Sequence, residues 1–458
     1  MRRELSPFTV ILWGSPMGRA FVSRYILPGL VGVLPCLLVV FLLRASQGST
    51  SERNPADGID SLIADLGSDS FMSREAATRS LKERVEAIPA LRKMRQTTNL
   101  ETRRRVDDIL SALDRIRARR CLDKANALGK AGRAVELADR LAFAASCNVP
   151  CPEGWGGLTQ FADQTITRTD RFFSQGGKFH RDQVFPAGDF RLFAKQGNLK
   201  EIAARSVEIN TGKKRDNSND MKAIAGRRLI QETTGKLLLR GESVSLTGDP
   251  GFGLLGGMIA ASGDIRLSGA SFSVIIAGGD VKQVAQLRHC ILICDGDVEF
   301  LDRAGAHDSI IVARGKVTYN RDEFWLQNCL IRSGHTLFLP EGHPPKRKPV
   351  DLKDGTPDPL AFVKFFELAD VGLAAEDIAP RDKLDTASVR LKDVRKDSPF
   401  ASGLRVGDVM LAIDEKKTPT TEVFRRVLRR TLAEGGPLLT FTVRRAGKTL
   451  EVPIPVKD

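Results

Sequence analysis

The strongest constraint on the fold is a short repeat that occupies residues 235–339. In each instance an apolar, strand-like run leads into a glycine, a polar residue and a second short strand. The repeat glycines are Gly263, Gly279, Gly296, Gly315 and Gly334, and they lie 16, 17, 19 and 19 residues apart. A period of this length is too long for a hairpin and too short for a βαβ unit. It indicates one coil of a parallel β-helix.

The repeat therefore predicts a β-solenoid in which each coil stacks its apolar side chains on the previous coil. Glycine at the corner permits the positive φ that the bend requires. Cys290, Leu292 and Cys294 fall on one face of a strand, which places them in the interior of the coil. An antiparallel sandwich is the alternative. The pattern is similar to that of the short β-solenoids of bactofilins, which are polymer-forming cytoskeletal proteins, and of adhesins.

Three aspartates, Asp264, Asp280 and Asp297, follow repeat glycines and would stack on one another in a solenoid. Carboxylates in such a ladder could bind calcium or cleave polysaccharide, with Arg288 or Arg303 beside Asp280 or Asp297 in the enzymatic case. The GGxGxD calcium motif is absent. The simpler interpretation is that these carboxylates accept hydrogen bonds from the backbone of the turns.

A separate C-terminal unit over residues 365–458 is expected after a basic, proline-containing linker at 340–364. Its segment SVRLKDVRKDSPFASGLRVGDVMLAID combines a tight turn at Gly407-Asp408 with an alternating apolar strand, and an amphipathic helix begins near Thr421. These residues resemble a PDZ domain of the bacterial HtrA type. The resemblance implies an α+β fold with a partly open β-barrel.

The same resemblance implies that an extended peptide is added as a strand between a sheet edge and this helix, with backbone N–H groups at its terminal carboxylate. The implied peptide-binding residues are Val371, Gly372, Leu373, Val423 and Val427. Ala374 and Ala375 replace the larger apolar residue usual at this place, which predicts a shallow pocket. The alternative is a PDZ fold that serves only as a packing module.

Residues 25–43 form an uncharged apolar run between Arg24 and Arg44. At about 1.5 Å per residue, a helix of this length nearly spans a hydrocarbon core of about 30 Å. The excess of arginine before the run places residues 1–24 in the cytoplasm. We therefore expect a single-pass transmembrane helix with a periplasmic or extracytoplasmic body, and a buried helix of a soluble protein is the alternative.

Residues 58–146 show helical periodicity, and their stretch from residue 66 to 110 resembles a HEAT-like repeat of planctomycete type. One such repeat cannot bury a continuous core, so this region must pack on another part of the protein. Residues 147–234 are expected to be a mixed connecting region. Within it, Cys147 and Cys151 could form a disulfide in an oxidising compartment, bind a metal, or remain thiols.

The sequence carries no recognisable catalytic motif. P-loop, HExxH and G-x-S-x-G patterns are absent, and no pair among the five histidines has helical ligand spacing. The formal net charge is +14, but the basic cluster at 103–105 is interleaved with acids and predicts a solvated helix face. We therefore expect no enzymatic activity, no metal or other cofactor, and no nucleic-acid partner.

Together these features predict a multidomain, membrane-anchored extracytoplasmic scaffold or adaptor. Its PDZ domain would bind protein C-termini or extended peptides and assist proteolysis or assembly in the cell envelope. One alternative is a β-solenoid enzyme or binder that acts on envelope polysaccharide. Another is a structural protein that self-associates through its solenoid.

Overall fold

The computed structural model describes residues 55–96, 99–151, 156–176, 200–203, 206–210, 237–247, 254–319, 324–340, 357–379 and 388–456, with isolated positions between 342 and 352. The N-terminal part of this range is helical. The helices are α1 (Pro55–Asp65), α2 (Phe71–Leu81), α3 (Ile88–Met94), α4 (Leu100–Asp123), α5 (Ala125–Lys130), α6 (Ala134–Ser146) and α7 (Gly156–Gly176). A 3₁₀ turn at Val85–Ala87 leads into α3.

Local sequence explains where several of these helices begin. The Ser70 hydroxyl accepts a hydrogen bond from the backbone N–H of Ser73 at the start of α2. The Asn99 side chain accepts from the N–H of Glu101 at 3.0 Å and caps α4. Pro89 stands in the first turn of α3, where a missing N–H costs nothing. The helical periodicity of this region is confirmed, whereas its likeness to HEAT repeats stays a prediction.

The middle of the chain is built from short strands. They are β1 (Lys200–Ala203), β2 (Ser206–Asn210), β3 (Leu237–Gly241), β4 (Ser243–Thr247), β5 (Leu254–Leu255), β6 (Met258–Ala261), β7 (Ile265–Leu267), β8 (Gly269–Ser271), β9 (Val274–Ala277), β10 (Val281–Arg288), β11 (Ile291–Cys294), β12 (Val298–His307), β13 (Ile310–Ala313), β14 (Val317–Tyr319), β15 (Trp325–Gln327), β16 (Leu330–Ser333) and β17 (Thr336–Phe338).

These strands form two parallel sheets, which confirms the predicted β-solenoid. The first sheet has the order β1-β3-β6-β9-β11-β13-β16 and ends with the antiparallel strand β17. The second sheet contains the path β2-β4-β7-β10-β12-β14, with β5, β8 and β15 paired beside it. Equivalent positions of successive coils lie in register and form a buried ladder. Its members are Ile259, Ile275, Leu292, Ile311 and Ile331.

The central strands of the first sheet, β6, β9, β11 and β13, are buried on both faces, because α6 and α7 cover the side that points away from the solenoid interior. All four residues of β9, β11 and β13 are buried. Ile276 and Ile293 pack with Leu137 and Leu141 of α6, while Leu292 points into the coil. Two buried faces explain why these strands read as continuous apolar runs instead of alternating ones.

The C-terminal part is a small sheet with one helix. Its elements are β18 (Leu373–Ile378), β19 (Ser388–Val394), β20 (Val409–Ile413), β21 (Lys416–Lys417), α8 (Thr421–Ala433), β22 (Leu438–Arg445) and β23 (Lys448–Pro455). The strand order is β18-β19-β20-β22-β23, all antiparallel, with β21 beside β20. Phe400, Phe424, Leu428 and Phe441 form its core. Residues Leu62–Asp458 make up one compact unit.

The predicted transmembrane helix requires a correction. Residues 25–43 lie outside the described residues, and within the described ranges no helix is both long enough and apolar enough to cross a membrane. The fold class is therefore corrected to a helical region, a β-solenoid and a C-terminal sheet with one helix. A single-pass anchor, and the membrane localisation that was inferred from it, are not supported.

Candidate functional site

The C-terminal sheet ends at β18. Among the described residues, this strand pairs with β19 along one edge and has no strand along the other. Leu373, at its start, is buried in the core, Ala374 is exposed, and Ala375 packs partly on the core. An open edge beside a helix is the feature that accepts an added peptide strand.

The turn before β18 has a fixed left-handed geometry. Gly372 has φ of 71° and ends a 3₁₀ turn at Leu368–Val371. The Ser398 hydroxyl donates to the Val371 carbonyl oxygen at 2.7 Å, and the Arg395 N–H donates to the Gly372 carbonyl oxygen at 2.8 Å. A Cβ at Gly372 would lie 2.9 Å from Ser398 Cβ, so glycine is required there for both conformation and space.

Two charged side chains mark the ends of this edge. Near the turn, the side chain of Arg395 approaches Gly372 and is 53% exposed. At the other end, the backbone N–H and the hydroxyl of Thr421 donate to Asp377 Oδ1 at 2.5 and 2.7 Å. The two hydrogen bonds from Thr421 to Asp377 connect the N-terminus of α8 to β18. Four residues of the strand, Leu373 to Glu376, therefore lie between the turn at Gly372 and this connection.

The predicted site residues occupy two different surroundings. Val371, Gly372 and Leu373 lie together where β18 begins. Val423 and Val427 lie on α8 and are both partly buried. Val427 also lines a cavity of about 390 Å³ together with Ala142 and Phe143 of α6. The structure therefore brings the three loop residues together and places Val427 at the junction with the helical region.

Sequence reasoning missed a row of arginines on the face of α8 that points away from the core of the C-terminal sheet. They are Arg425, Arg426, Arg429 and Arg430. The helix runs along the solenoid corners that connect the first sheet to the second. A helical turn rises about 5.4 Å and neighbouring strands are about 4.8 Å apart, so successive turns of α8 meet successive coils.

The most buried contacts in this row are ion pairs. Arg429 donates through Nε to Asp139 Oδ2 of α6 at 2.6 Å and through a second nitrogen to Asp295. Its third nitrogen donates to the carbonyl oxygen of Gly278 at 3.0 Å. Arg425 donates to the same Asp295 carboxylate at 2.8 Å. Burial alone would lower the pKa of Arg429, but the charges of Asp139 and Asp295 raise it above its ordinary value.

Two half-exposed contacts extend the row toward the N-terminus of α8. Arg314, from a solenoid corner, donates to Glu422 at 2.8 Å and to Glu367 at 2.9 and 3.0 Å. Arg426 lies 3.6 Å from Asp280. The helix that faces the open edge of β18 is thereby held against the solenoid by at least four arginine side chains.

The three repeat aspartates accept hydrogen bonds from backbone N–H groups of the solenoid turns. Asp264 accepts from the N–H of Asp280 at 2.8 Å, Asp280 accepts from the N–H of Asp297 at 3.1 Å, and Asp297 accepts from the next coil. Arg288 ends the strand that Asp280 precedes, about 20 Å or more away along an extended chain. Arg303 lies within β12. The structure thus places Asp280 and Arg288 at opposite ends of one strand.

Cys147 and Cys151 flank the turn that follows α6. They form no disulfide in the structure. Burial raises the pKa of the Cys147 thiol to about 11, which keeps it protonated at neutral pH. Disulfide formation between the two in an oxidising compartment stays a prediction.

Comparison with known proteins is informative for the C-terminal part only. Among solved structures, the chain is similar to an HtrA-type protease, AlgW, with a decapeptide (23% identity, TM-score 0.16). It is also similar to the HtrA3 PDZ domain bound to a phage-derived ligand (17%, 0.15) and to the PDZ domain of EpsC from Vibrio cholerae (18%, 0.16). Each similarity covers 19% of this chain, with 27% of the AlgW chain and 81% of each of the other two.

The chain matches none of the curated proteins with which it was compared. The family comparison is more specific, because residues 369–456 match the PDZ domain family. The match begins in the 3₁₀ turn before Gly372 and runs to the residue after β23, so it includes the left-handed turn, β18 and α8. Residues 369–456 are therefore a PDZ domain.

Proposed function

We propose that the PDZ domain binds the C-terminus or an extended segment of a partner protein as an added strand along β18. The observation that carries this proposal is the open edge of β18, which starts directly after the left-handed turn at Gly372. Backbone N–H groups at that turn would receive the terminal carboxylate, and Arg395 would add a positive charge beside it.

We propose further that the protein is a scaffold or adaptor, which acts by binding and not by catalysis. Because α8 is held against the solenoid, the groove would present its ligand in one orientation relative to the rest of the molecule. A captured tail would in this way be presented to a separate protein, such as a protease or an assembly partner.

The test is a binding assay on the purified full-length chain with a library of fluorescent peptides, each prepared with a free and with an amidated C-terminus. We expect micromolar binding of a subset of peptides, corresponding to about −8 kcal/mol, and loss of that binding on amidation. Loss is expected because amidation removes the carboxylate charge. Equal binding of the two forms would contradict carboxylate capture.

Two glycine variants make the assay specific. Gly372→Ala places a Cβ 2.9 Å from Ser398 Cβ in a left-handed turn, so it should abolish peptide binding. Gly407→Ala is the matched control, because Gly407 also has positive φ (89°) but has open space around it. It lies in the turn before β20, away from the groove. Equal effects of the two variants on binding would overturn the proposed site.

A further inference from the structure

The solenoid corner that leads from the second sheet to the first has an unusual set of side chains. Its equivalent positions in successive coils all have positive φ, between 48° and 67°. They are Gly256, Phe272, His289, Asp308 and Asn328. Glycine occupies such a position without strain, whereas a left-handed conformation costs other residues about 1–2 kcal/mol. Four coils nevertheless carry a side chain here, and one of these is the bulky Phe272.

These side chains contact one another along the corner. The rings of Phe272 and His289 stack with centroids 4.7 Å apart and an interplanar angle of 11°. His289 Nε2 lies 3.8 Å from Asp308 Oδ2, and the Asn328 amide donates to Asp308 Oδ1 at 3.1 Å. All four residues are partly exposed, so the corner presents a continuous row of an aromatic ring, an imidazole, a carboxylate and an amide.

An exposed aromatic residue lies beside this row. Trp325 of β15 is 48% exposed, and its ring centroid is 6.0 Å from that of His307, which directly precedes Asp308. Gly305 is the register partner of Trp325, and a Cβ at Gly305 would lie 3.7 Å from Trp325 Cβ and 4.0 Å from His307 Nε2. Neighbouring strands are about 4.8 Å apart, so the row, which runs over four coils, extends over about 14 Å.

We propose that this edge of the solenoid binds a neutral oligosaccharide. The face of a pyranose ring is rich in C–H groups, which are attracted to the negative face of an aromatic ring such as that of Trp325. The ring hydroxyls lie at the edge of the sugar, where the Asp308 carboxylate accepts hydrogen bonds and the Asn328 amide both donates and accepts. A shallow, open surface of this kind fits an extended chain of sugar units. The proposal is independent of peptide binding by the PDZ domain.

The charges around the row favour a neutral ligand over a polyanion. On the outward face of the second sheet, Arg266 and Lys282 are accompanied by Glu299 and Asp302, and Arg288 pairs in register with His307 of the following coil. Nucleic acids and acidic polymers require a stripe of one positive sign. The described side chains on this face carry charges of both signs instead.

The experiment measures binding of the full-length chain to hexamers of β-1,4-linked glucose and of β-1,4-linked N-acetylglucosamine by calorimetry and tryptophan fluorescence. We expect one of the hexamers to bind and to change the emission of Trp325. Trp325→Ala should weaken binding about tenfold, equivalent to about 1.4 kcal/mol for a lost stacking partner. Trp325→Phe should retain most of the affinity while removing the fluorescence change.

Two further variants make the result decisive. Asp308→Ala should also weaken binding, because it removes the acceptor at the sugar edge. Leu301→Ala is the matched control, because Leu301 is an exposed apolar residue of β12 on the same sheet (39% exposed) and lies outside the row. Each variant is checked for an unchanged circular dichroism spectrum. Absence of binding to both hexamers, or equal losses in Trp325→Ala and Leu301→Ala, would overturn the proposal.

Discussion

Arg429 and Asp139 lie 290 residues apart in the chain and form a buried ion pair, in which Arg429 Nε donates to Asp139 Oδ2 at 2.6 Å. Their exposed fractions are 1% and 3%. The pair joins α8 of the PDZ domain to α6, the helix that covers the first solenoid sheet. The PDZ domain is therefore not held by its linker alone, and one wall of its groove is fixed by charges that come from the rest of the molecule.

Removing Arg429 should strongly destabilise the protein. Arg429→Ala leaves the buried carboxylates of Asp139 and Asp295 without their shared cation, and breaking a buried pair from one side costs about 3–5 kcal/mol. We expect a loss of this size in the free energy of unfolding, measured by urea unfolding followed by circular dichroism. Arg395→Ala is the control. Its 3.4 Å pair with Asp397 is exposed and should change stability by about 1 kcal/mol or less.

If the buried ion pairs hold α8 on the solenoid, Arg429→Ala must lower the free energy of unfolding much more than Arg395→Ala does. A similar, small effect of both would mean that α8 does not dock on the solenoid. A large effect of Arg395→Ala alone would assign the stability of the PDZ domain to its loop instead.

The solenoid and the PDZ domain could be predicted from the sequence because both leave local signals. The coil repeats its corner glycine every 16–19 residues, and the turn at Gly407-Asp408 with its following strand is contained in a few residues. The expected positive φ at these corner glycines was wrong except at Gly334, because the left-handed residues lie at the other corner of the coil. The continuous apolar runs of β9, β11 and β13 also indicate that another layer packs on the outer face of the first sheet, since both faces of each strand are buried.

The docking of α8 could not be predicted, because its contacts join residues far apart in the chain. Arg425 and Arg429 lie on the outer face of an amphipathic helix, where sequence alone indicates solvent. Their partner Asp295 is 130 and 134 residues away and belongs to no periodic pattern with them. The surroundings of Val427 were unpredictable for the same reason, since helical spacing shows which residues share a face but not which neighbour covers it.

Acid should weaken the docking of α8 through Glu422. Burial alone would raise the pKa of this carboxyl, but the hydrogen bond from Arg425 and the charges of Arg425, Arg426 and Arg314 outweigh it and lower the pKa to about 2. A lowered pKa means that the stabilisation is complete above the ordinary pKa of 4.5 and is lost as the pH falls from there toward 2. Urea unfolding at several pH values should show this loss.

The measurement requires a variant that cannot titrate. Glu422→Gln should be less stable than the parent at pH 6 and should lose less stability than the parent between pH 5 and pH 2. Glu415→Gln, in the exposed turn between β20 and β21, provides the control with the same chemical change. If Glu422→Gln kept the full acid dependence of the parent, Glu422 would not be the titrating group.

The interior ladder of the solenoid should tolerate no loss of volume. Leu292 is fully buried, and its neighbours in the ladder are Ile275 and Ile311 of the adjoining coils. Leu292→Ala should lower the free energy of unfolding by about 2–5 kcal/mol, because the rigid parallel strands cannot close the cavity. Leu301→Ala, at an exposed position of the second sheet, should change it by about 0.5 kcal/mol or less. Comparable losses would contradict the predicted inward direction of Leu292.

The cysteines of the solenoid should resist alkylation in the native protein. Burial raises the pKa of Cys290 and of Cys329 to about 12 and also raises that of Cys294, and the thiolate is the reactive form. Peptide mapping after iodoacetamide treatment at pH 8 should find these three cysteines unmodified, and treatment in concentrated guanidinium chloride should modify all of them. Native labelling of Cys294 at the rate of the unfolded chain would show that the coil opens. It would contradict a packed interior, because reagent and hydroxide would then both reach the sulfur.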